Sequence, residues 1–328
     1  MRRPAIVIVT FKRQELLANL LGSIEHLAMA PWRVVVVDNE DSEQTAELVA
    51  GFADRVRGLW GDTTDDPDEQ GWVSRVVYAP QAENTGGSGG FCEGVRIAYE
   101  LGAEWFWVMD DDVAVEPDGL DALDRWCDRA DAIQGQRRDF DGGAFYWQYR
   151  FSTALAIYNP LSRSSWKPGE EYKECNALCF EGGFFRRTVP DKVGLPDKRF
   201  FIYLDDACYG YLASKVGKVI LIPDFVLSRE REVANKEIGS VRQLNSTSDM
   251  TRLYITRNRA YLARYFQLYG EYNPVGYGFG TFLTYAKEII RLLIVDRGHL
   301  RSGMARLNEG WRESKQILHD PNWKPMPP

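Results

Sequence analysis

EWFWVMDDDVAV, residues 104–115, is the stretch on which the reading of the whole chain turns. Its first half is a continuous apolar run rich in β-forming residues, which fits an interior parallel strand covered on both faces. It ends on three consecutive carboxylates, and open α/β sheets bind their ligands outside the carboxyl ends of their strands. Residues two apart on an extended chain point the same way, so Asp110 and Asp112 can converge on one hard cation while Asp111 turns aside. Oxygen-only ligation of this kind suits Mg²⁺ or Mn²⁺. Three aspartates in isolation are as readily a solvated turn or a helix cap. The apolar run before them, and Pro117 marking the next helix start, favour the metal site.

Working outward, residues 5–11 (AIVIVTF) form a buried strand, followed by Lys12, Arg13 and Gln14 and a helix to about Leu27. Residues 32–37 (WRVVVV) form a second strand ending at Asp38-Asn39, and residues 42–53 a helix with Ser42 at its N-cap. Residues 61–70 (GDTTDDPDEQ) are an acidic surface loop. A short strand over 74–78 leads into the glycine loop 84–90 (NTGGSGG), a helix over 91–101 and the 104–112 strand. This alternation is the pattern of a doubly wound α/β sheet. Further on, residues 175–187 (CNALCFEGGFFRR) suggest a strand broken at Gly182-Gly183, Asp205-Asp206 open a helix to about Val216, and residues 218–225 form the last clear strand. Residues 228–250 suit a mobile lid, and helix is expected after Thr251. The division expected is a catalytic domain over 1–228, then a lid and C-terminal helical region over 229–328.

The 328 residues suffice for a large core, and a net charge of −7 argues against nucleic acid as partner. The five cysteines lack zinc-like pairing and read as reduced core thiols of a cytoplasmic protein. No signal peptide and no membrane span are expected. Residues 275–295 suggest an amphipathic helix, packed on the core in preference to lying at a membrane surface.

Four loops, at 10–13, 38–39, 84–90 and 110–112, should open at one crevice. Asp38 can accept hydrogen bonds from a base or ribose, although alone it fits a helix cap or turn equally well. The glycine loop needs positive-φ positions or a close backbone approach, and it is neither a P-loop nor a dinucleotide fingerprint. Together the segments VTFKR, VVDN, NTGGSGGF, WVMDDDV, EGGFFRR, IYLDDACYG and YITRNR, in that order over roughly residues 5–260, resemble family 2 glycosyltransferases of the GT-A fold. The likeness is to the actinobacterial galactofuranosyltransferases and related rhamnosyltransferases in particular.

The resemblance implies a mostly parallel Rossmann-like sheet with a C-terminal helical extension. It implies that Thr10, Arg13, Asp38 and Asn84, with Gly86, Gly87 and the first two aspartates Asp110 and Asp111, hold a nucleotide-sugar donor. It further implies that Asp110 and Asp112 take Mn²⁺ or Mg²⁺ at the diphosphate, and that Asp206 is the general base of an inverting transfer. Asp205, Trp147, Glu181 and Gly182 fall to the acceptor side. For Asp205-Asp206 alone, helix capping would be the first expectation; for Trp147, with Tyr146 and Tyr149, it would be core packing or stacking on sugar rings.

The chain departs from the family pattern twice. Cys208 stands where an acid often follows the base, and residues 225–230 (FVLSRE) contain no metal-binding histidine, which leaves Ser228, Glu230 or water as a third ligand. The histidines, His26, His299 and His319, read as surface residues. The expected activity is galactofuranosyl transfer from UDP-galactofuranose to a lipid-linked cell-wall glycan, with possible peripheral attachment to the inner face of the plasma membrane. The alternatives are rhamnosyl transfer from dTDP-rhamnose and a non-catalytic sugar-nucleotide-binding relative.

Overall fold

The apolar runs of the sequence become the inner strands of one nine-stranded sheet in the computed structural model. The structure describes residues 2–62, 74–145, 147–159, 161–162, 165–230, 235–236 and 244–327. Tyr146, most of the acidic loop and much of the expected lid lie outside the described residues.

The strands are β1 (Pro4–Thr10), β2 (Arg33–Asp38), β3 (Val76–Pro80), β4 (Trp105–Asp110), β5 (Val113–Val115), β6 (Ala132–Arg138), β7 (Phe151–Ser152), β8 (Ile157–Tyr158), β9 (Lys173–Glu174), β10 (Gly183–Arg186) and β11 (Val219–Arg229). Between and after them run α1 (Gln14–Ile24), α2 (Glu43–Trp60), α3 (Gly86–Leu101), α4 (Gly119–Asp124), α5 (Thr188–Val193), α6 (Asp205–Val216), α7 (Asp249–Leu268), α8 (Pro274–Ile294) and α9 (Leu300–His319). The sheet runs β3-β2-β1-β4-β10-β6-β11-β5, with β9 added on β11. β3, β2, β1 and β4 are parallel neighbours, whereas β10 is antiparallel to both β4 and β6. A mostly parallel sheet flanked by helices, with helices at the C-terminal end, is the expected fold class.

Register brings the functional candidates to one edge. Thr10 pairs with Asp38, Val9 with Asp110, and Asp38 with Pro80, so these strands end side by side. β10 then runs back along β4, with Gly183 opposite Val108. Both faces of β1 and β4 are covered. Val7, Val9, Phe106 and Val108 belong to one core with α3 and α6, and Ile6, Ile8, Trp105, Trp107 and Met109 to the other with α1 and α2. That is why the strand reads as an unbroken apolar run instead of alternating. Trp105 stacks on Phe184 of β10 at 4.8 Å between ring centroids, a core role for this tryptophan.

Several boundaries differ from the sequence reading. The glycine segment is not a loop, because α3 begins at Gly86 and takes in the glycines through Gly94. Their job is mostly close packing: a Cβ on Gly94 would lie 2.4 Å from Val7 Cγ1 and 3.0 Å from Val37 Cγ2. The broken strand expected over 175–187 shrinks to β10, and the last strand extends to Arg229, where β5 pairs with it. Ser42 stands at the N-cap of α2 without a side-chain cap bond, since Asp38 supplies the carboxylate there instead. All five cysteines are free thiols, four of them buried.

Gly86 needs its lack of a side chain twice over. Its φ is +72°, and a Cβ there would meet the Phe201 carbonyl oxygen at 2.1 Å. Gly86→Ala is expected to cost about 2–4 kcal/mol, from left-handed strain plus a backbone clash, read as a lowered urea midpoint at unchanged m-value.

Candidate active site

The edge where β1 and β4 end opens into a cavity of about 740 Å³. Arg13, Gly87, Asp110, Asp112, Glu181, Asp205 and Asp206 all line it, so the structure brings seven of the candidate residues to one space.

Asp111 turns aside from the cavity, into the protein, and is not among the residues that line it. It is buried, accepts from the Thr10 hydroxyl at 2.7 Å and from Arg13 at 2.9 Å, and so fixes the ends of β1 and β4 to each other. Arg13 also reaches Asp112 at 3.2 Å. Among the described residues Asp110 has no such counter-ion. Burial first, then the charges of Asp112, Asp111, Glu181 and Asp205, hold its carboxyl well above the usual carboxylate range. Four acids disfavouring one charge are a donor set short of a cation, which is the physical fit expected of an Asp110–Asp112 metal pair. Among the described residues no three His, Cys, Asp or Glu side chains are gathered in ligating geometry. The backbone N–H of Glu230 donates to the Asp112 carbonyl at 3.0 Å, which brings that residue alongside.

Glu181 lies beside Asp110 but is itself compensated by an ion pair with buried Arg137 and by Arg229 at 2.9 Å. Gly182 donates its N–H to Val108 and ties this turn to β4. The two arginines were not singled out from the sequence, since Arg137 lies at the start of the irregular region and Arg229 in the expected lid. An acid without a visible counter-ion in sequence was the only available hint.

Asp38 is fully buried. Its oxygens accept from the backbone N–H groups of Glu40 and Ser42, each at 2.9 Å, and from the Tyr78 hydroxyl at 2.8 Å. That is the turn-and-cap role. Asn84, exposed, accepts from Gly86 N–H at 2.9 Å and shapes the entry to α3. Trp147 is buried in the core, with the Arg137 guanidinium 5.8 Å from its ring centroid, and has little face to offer a sugar. His26, His299 and His319 are exposed, as expected.

Asp205 and Asp206 open α6. Burial raises both carboxyls; for Asp206 the adjacent Asp205 charge adds to it, up to about 7, against the opposing pull of the Ala207 N–H, the Cys179 thiol and Arg137. A carboxyl with this affinity for protons, facing a cavity, is suited to proton transfer near neutral pH.

The segment before the pair is strained. Phe201, Tyr203 and Leu204 all have positive φ, at 65°, 68° and 67°. Phe201 is the centre of a γ-turn closed by Ile202 N–H on the Phe200 carbonyl at 2.7 Å. Such conformations cost roughly 1–3 kcal/mol each and persist only when the surroundings over-determine them. Here the surroundings are α7. The Asn258 side-chain nitrogen, buried, reaches the carbonyls of Phe200, Ile202 and Tyr203 at 2.9, 2.7 and 2.9 Å. Arg257 donates to the Arg199 and Phe200 carbonyls and orients the Asn258 amide oxygen at 3.0 Å. The ring of Tyr254 stacks on Phe201 at 5.0 Å. Asn258→Ala takes this donor from the Ile202 and Tyr203 carbonyls, while that of Phe200 keeps Ile202 N–H and Arg257, at about 1–3 kcal/mol. The expected outcome is a lower melting temperature together with at least about tenfold lower kcat, read by steady-state kinetics.

The family model described as "Glycosyl transferase family 2" matches residues 5–188. Galactofuranosyltransferase GlfT1 of Mycolicibacterium smegmatis is 28% identical over 212 residues, 61% of this chain and 61% of that protein. The protein of the same name from Mycobacterium tuberculosis is 27% identical over 61% and 60%. The match thus spans about three-fifths of these relatives' length. Among solved structures, S. aureus TarS 1-349 in complex with UDP-GlcNAc gives a TM-score of 0.56 at 10% identity, over 96% of this chain and 81% of that one. The mannosyltransferase PcManGT of Pyrobaculum calidifontis, solved with GDP-Man and Mn²⁺, gives 0.52 at 13%, over 98% and 89%. These likenesses show a GT-A fold. The matched family segment contains Asp110 and Asp112; Asp206 lies beyond it.

Proposed function

Because the chain belongs to glycosyl transferase family 2, we propose that its cavity transfers a sugar from a nucleotide diphosphate donor, with inversion, onto a hydroxyl of a lipid-linked glycan. The donor is UDP-galactofuranose, by likeness to the GlfT1 proteins. The observation that carries the reading is one cavity with a cation-seeking carboxylate pair, Asp110 and Asp112, and a proton-seeking carboxyl, Asp206.

Arg13, held by Asp111 and Asp112, borders the cavity and can turn its free guanidinium face to a phosphate. A Mg²⁺ or Mn²⁺ ion at Asp110 and Asp112 would supply Lewis-acid neutralisation of the departing diphosphate. Asp206 accepts the proton of the acceptor hydroxyl as that oxygen bonds to the anomeric carbon. The leaving oxygen departs on the opposite face, which inverts the carbon by the geometric logic of inverting glycosidases. Glu181, paired with Arg137 and Arg229, and Asp205 stand on the acceptor side. In this reading, contact with a lipid-linked acceptor is peripheral, at the inner face of the plasma membrane.

The test is calorimetric titration with UDP and with dTDP, each with and without Mn²⁺. Metal-dependent binding confined to UDP supports the reading. A preference for dTDP moves it to rhamnosyl transfer, and binding of neither nucleotide overturns it.

A further inference from the structure

Helix α8 carries two faces, of which only one is used by the fold. Tyr277, Gly280, Glu288, Arg291 and Leu292 are buried. On the other side Val275, Phe279, Phe282, Ile290, Leu293 and Ile294 are exposed, Val275 by 81% and Phe282 by 63%. At 100° per residue these six fall within one stripe about 120° wide, running for about 28 Å along the axis. Isolated exposed apolar residues need no explanation, but a contiguous stripe of this length marks a docking surface.

We propose that this stripe lies in the interface of an anionic lipid bilayer, parallel to its surface. Two observations commit it to that occupant. Cations follow the stripe in the chain: Arg297, in the turn after α8, and Arg301, in the first turn of α9, are exposed and make no ion pair among the described residues. Arg297 only donates to the Leu293 carbonyl at 2.9 Å. An apolar face flanked by unneutralised arginines matches acyl chains below and anionic headgroups above. The stripe is also continuous with the cavity, since Leu283, Thr284 and Lys287 of α8 line the cavity wall. A helix lying on the bilayer would hold the cavity mouth at headgroup level, where an amphiphile presents its sugar while its lipid stays in the membrane. This deepens the acceptor reading above, and rests on it only for the identity of that amphiphile.

The test is co-sedimentation of the full chain, without substrate, with vesicles of phosphatidylcholine alone or mixed with phosphatidylglycerol. Binding is expected on the anionic vesicles. The double variant Phe279→Glu/Phe282→Glu is expected to weaken it by at least about tenfold, and Arg297→Gln/Arg301→Gln by a similar factor. UDP titration of each variant, expected unchanged, verifies folding and separates this proposal from the donor reading. A full chain that stays in the supernatant, or binding that both variants leave intact, overturns the proposal. So does a dimer in solution that the phenylalanine variant disperses, which would give the stripe to a second copy.

Discussion

Asp206→Asn is expected to lower kcat by about 10²–10⁴, the range of a lost general base, while UDP and metal still bind. The amide keeps the size of the carboxyl and removes only its proton affinity, so binding and chemistry separate. In the parent protein, activity should rise with pH through about 7 as Asp206 ionises, and the variant's residual rate should lose that limb. Stability moves the other way. A carboxyl whose folded pKa is raised contributes stability that is present below the ordinary value of 3.8 and lost as pH rises through about 7. The amide escapes that loss, so the variant should melt higher than the parent in mildly alkaline buffer and no higher in acid. A difference of 1 kcal/mol is worth roughly 1–2 °C in a chain of 328 residues. A variant that kept full transfer would remove Asp206 from the chemistry.

Asp112→Ala is expected to abolish metal-dependent binding of UDP and with it nearly all turnover. On the proposed assignment Asp112 is one of two carboxylates holding the ion, so its loss removes half of that pair. The change also releases Arg13 from one of its two acids, 3.2 Å away. Asp111→Ala is the informative contrast: it should chiefly cost stability, because Asp111 is buried and binds Thr10 and Arg13. Titration of UDP with and without Mn²⁺ reads the first effect, and thermal melting the second. Unchanged metal dependence in Asp112→Ala would sink the metal assignment.

Most of the strand-end architecture around the cavity was legible in the sequence because strand ends are local events. An apolar run followed by acids says where β4 stops, and the parallel alternation says that neighbouring strands stop at the same edge. The roles of Asp38 and of the glycines were less legible. A carboxylate after a strand looks the same whether it meets a ligand or caps the next turn, and Tyr78, which completes the hydrogen bonding of Asp38, lies forty positions away. Glycines demanded by helix–sheet packing against Val7 and Val37 look like glycines demanded by a loop. The surroundings of Glu181 were hardest, since it owes its environment to Arg137 and Arg229, brought together by the pairing of β6 with β11.

The left-handed turn at 201–204 carries one more implication, for how the chain acquires activity. Three of its four positions contradict local preference, so neither the nascent segment nor an isolated peptide has reason to hold that shape. Its geometry arrives only when Asn258, more than fifty positions downstream, docks. The pairings of β3, β2, β1 and β4 all lie within the first 110 residues, whereas the position of Asp206 waits for Asn258. During synthesis, a chain with its nucleotide-side sheet already formed would remain catalytically silent until α7 had emerged and packed.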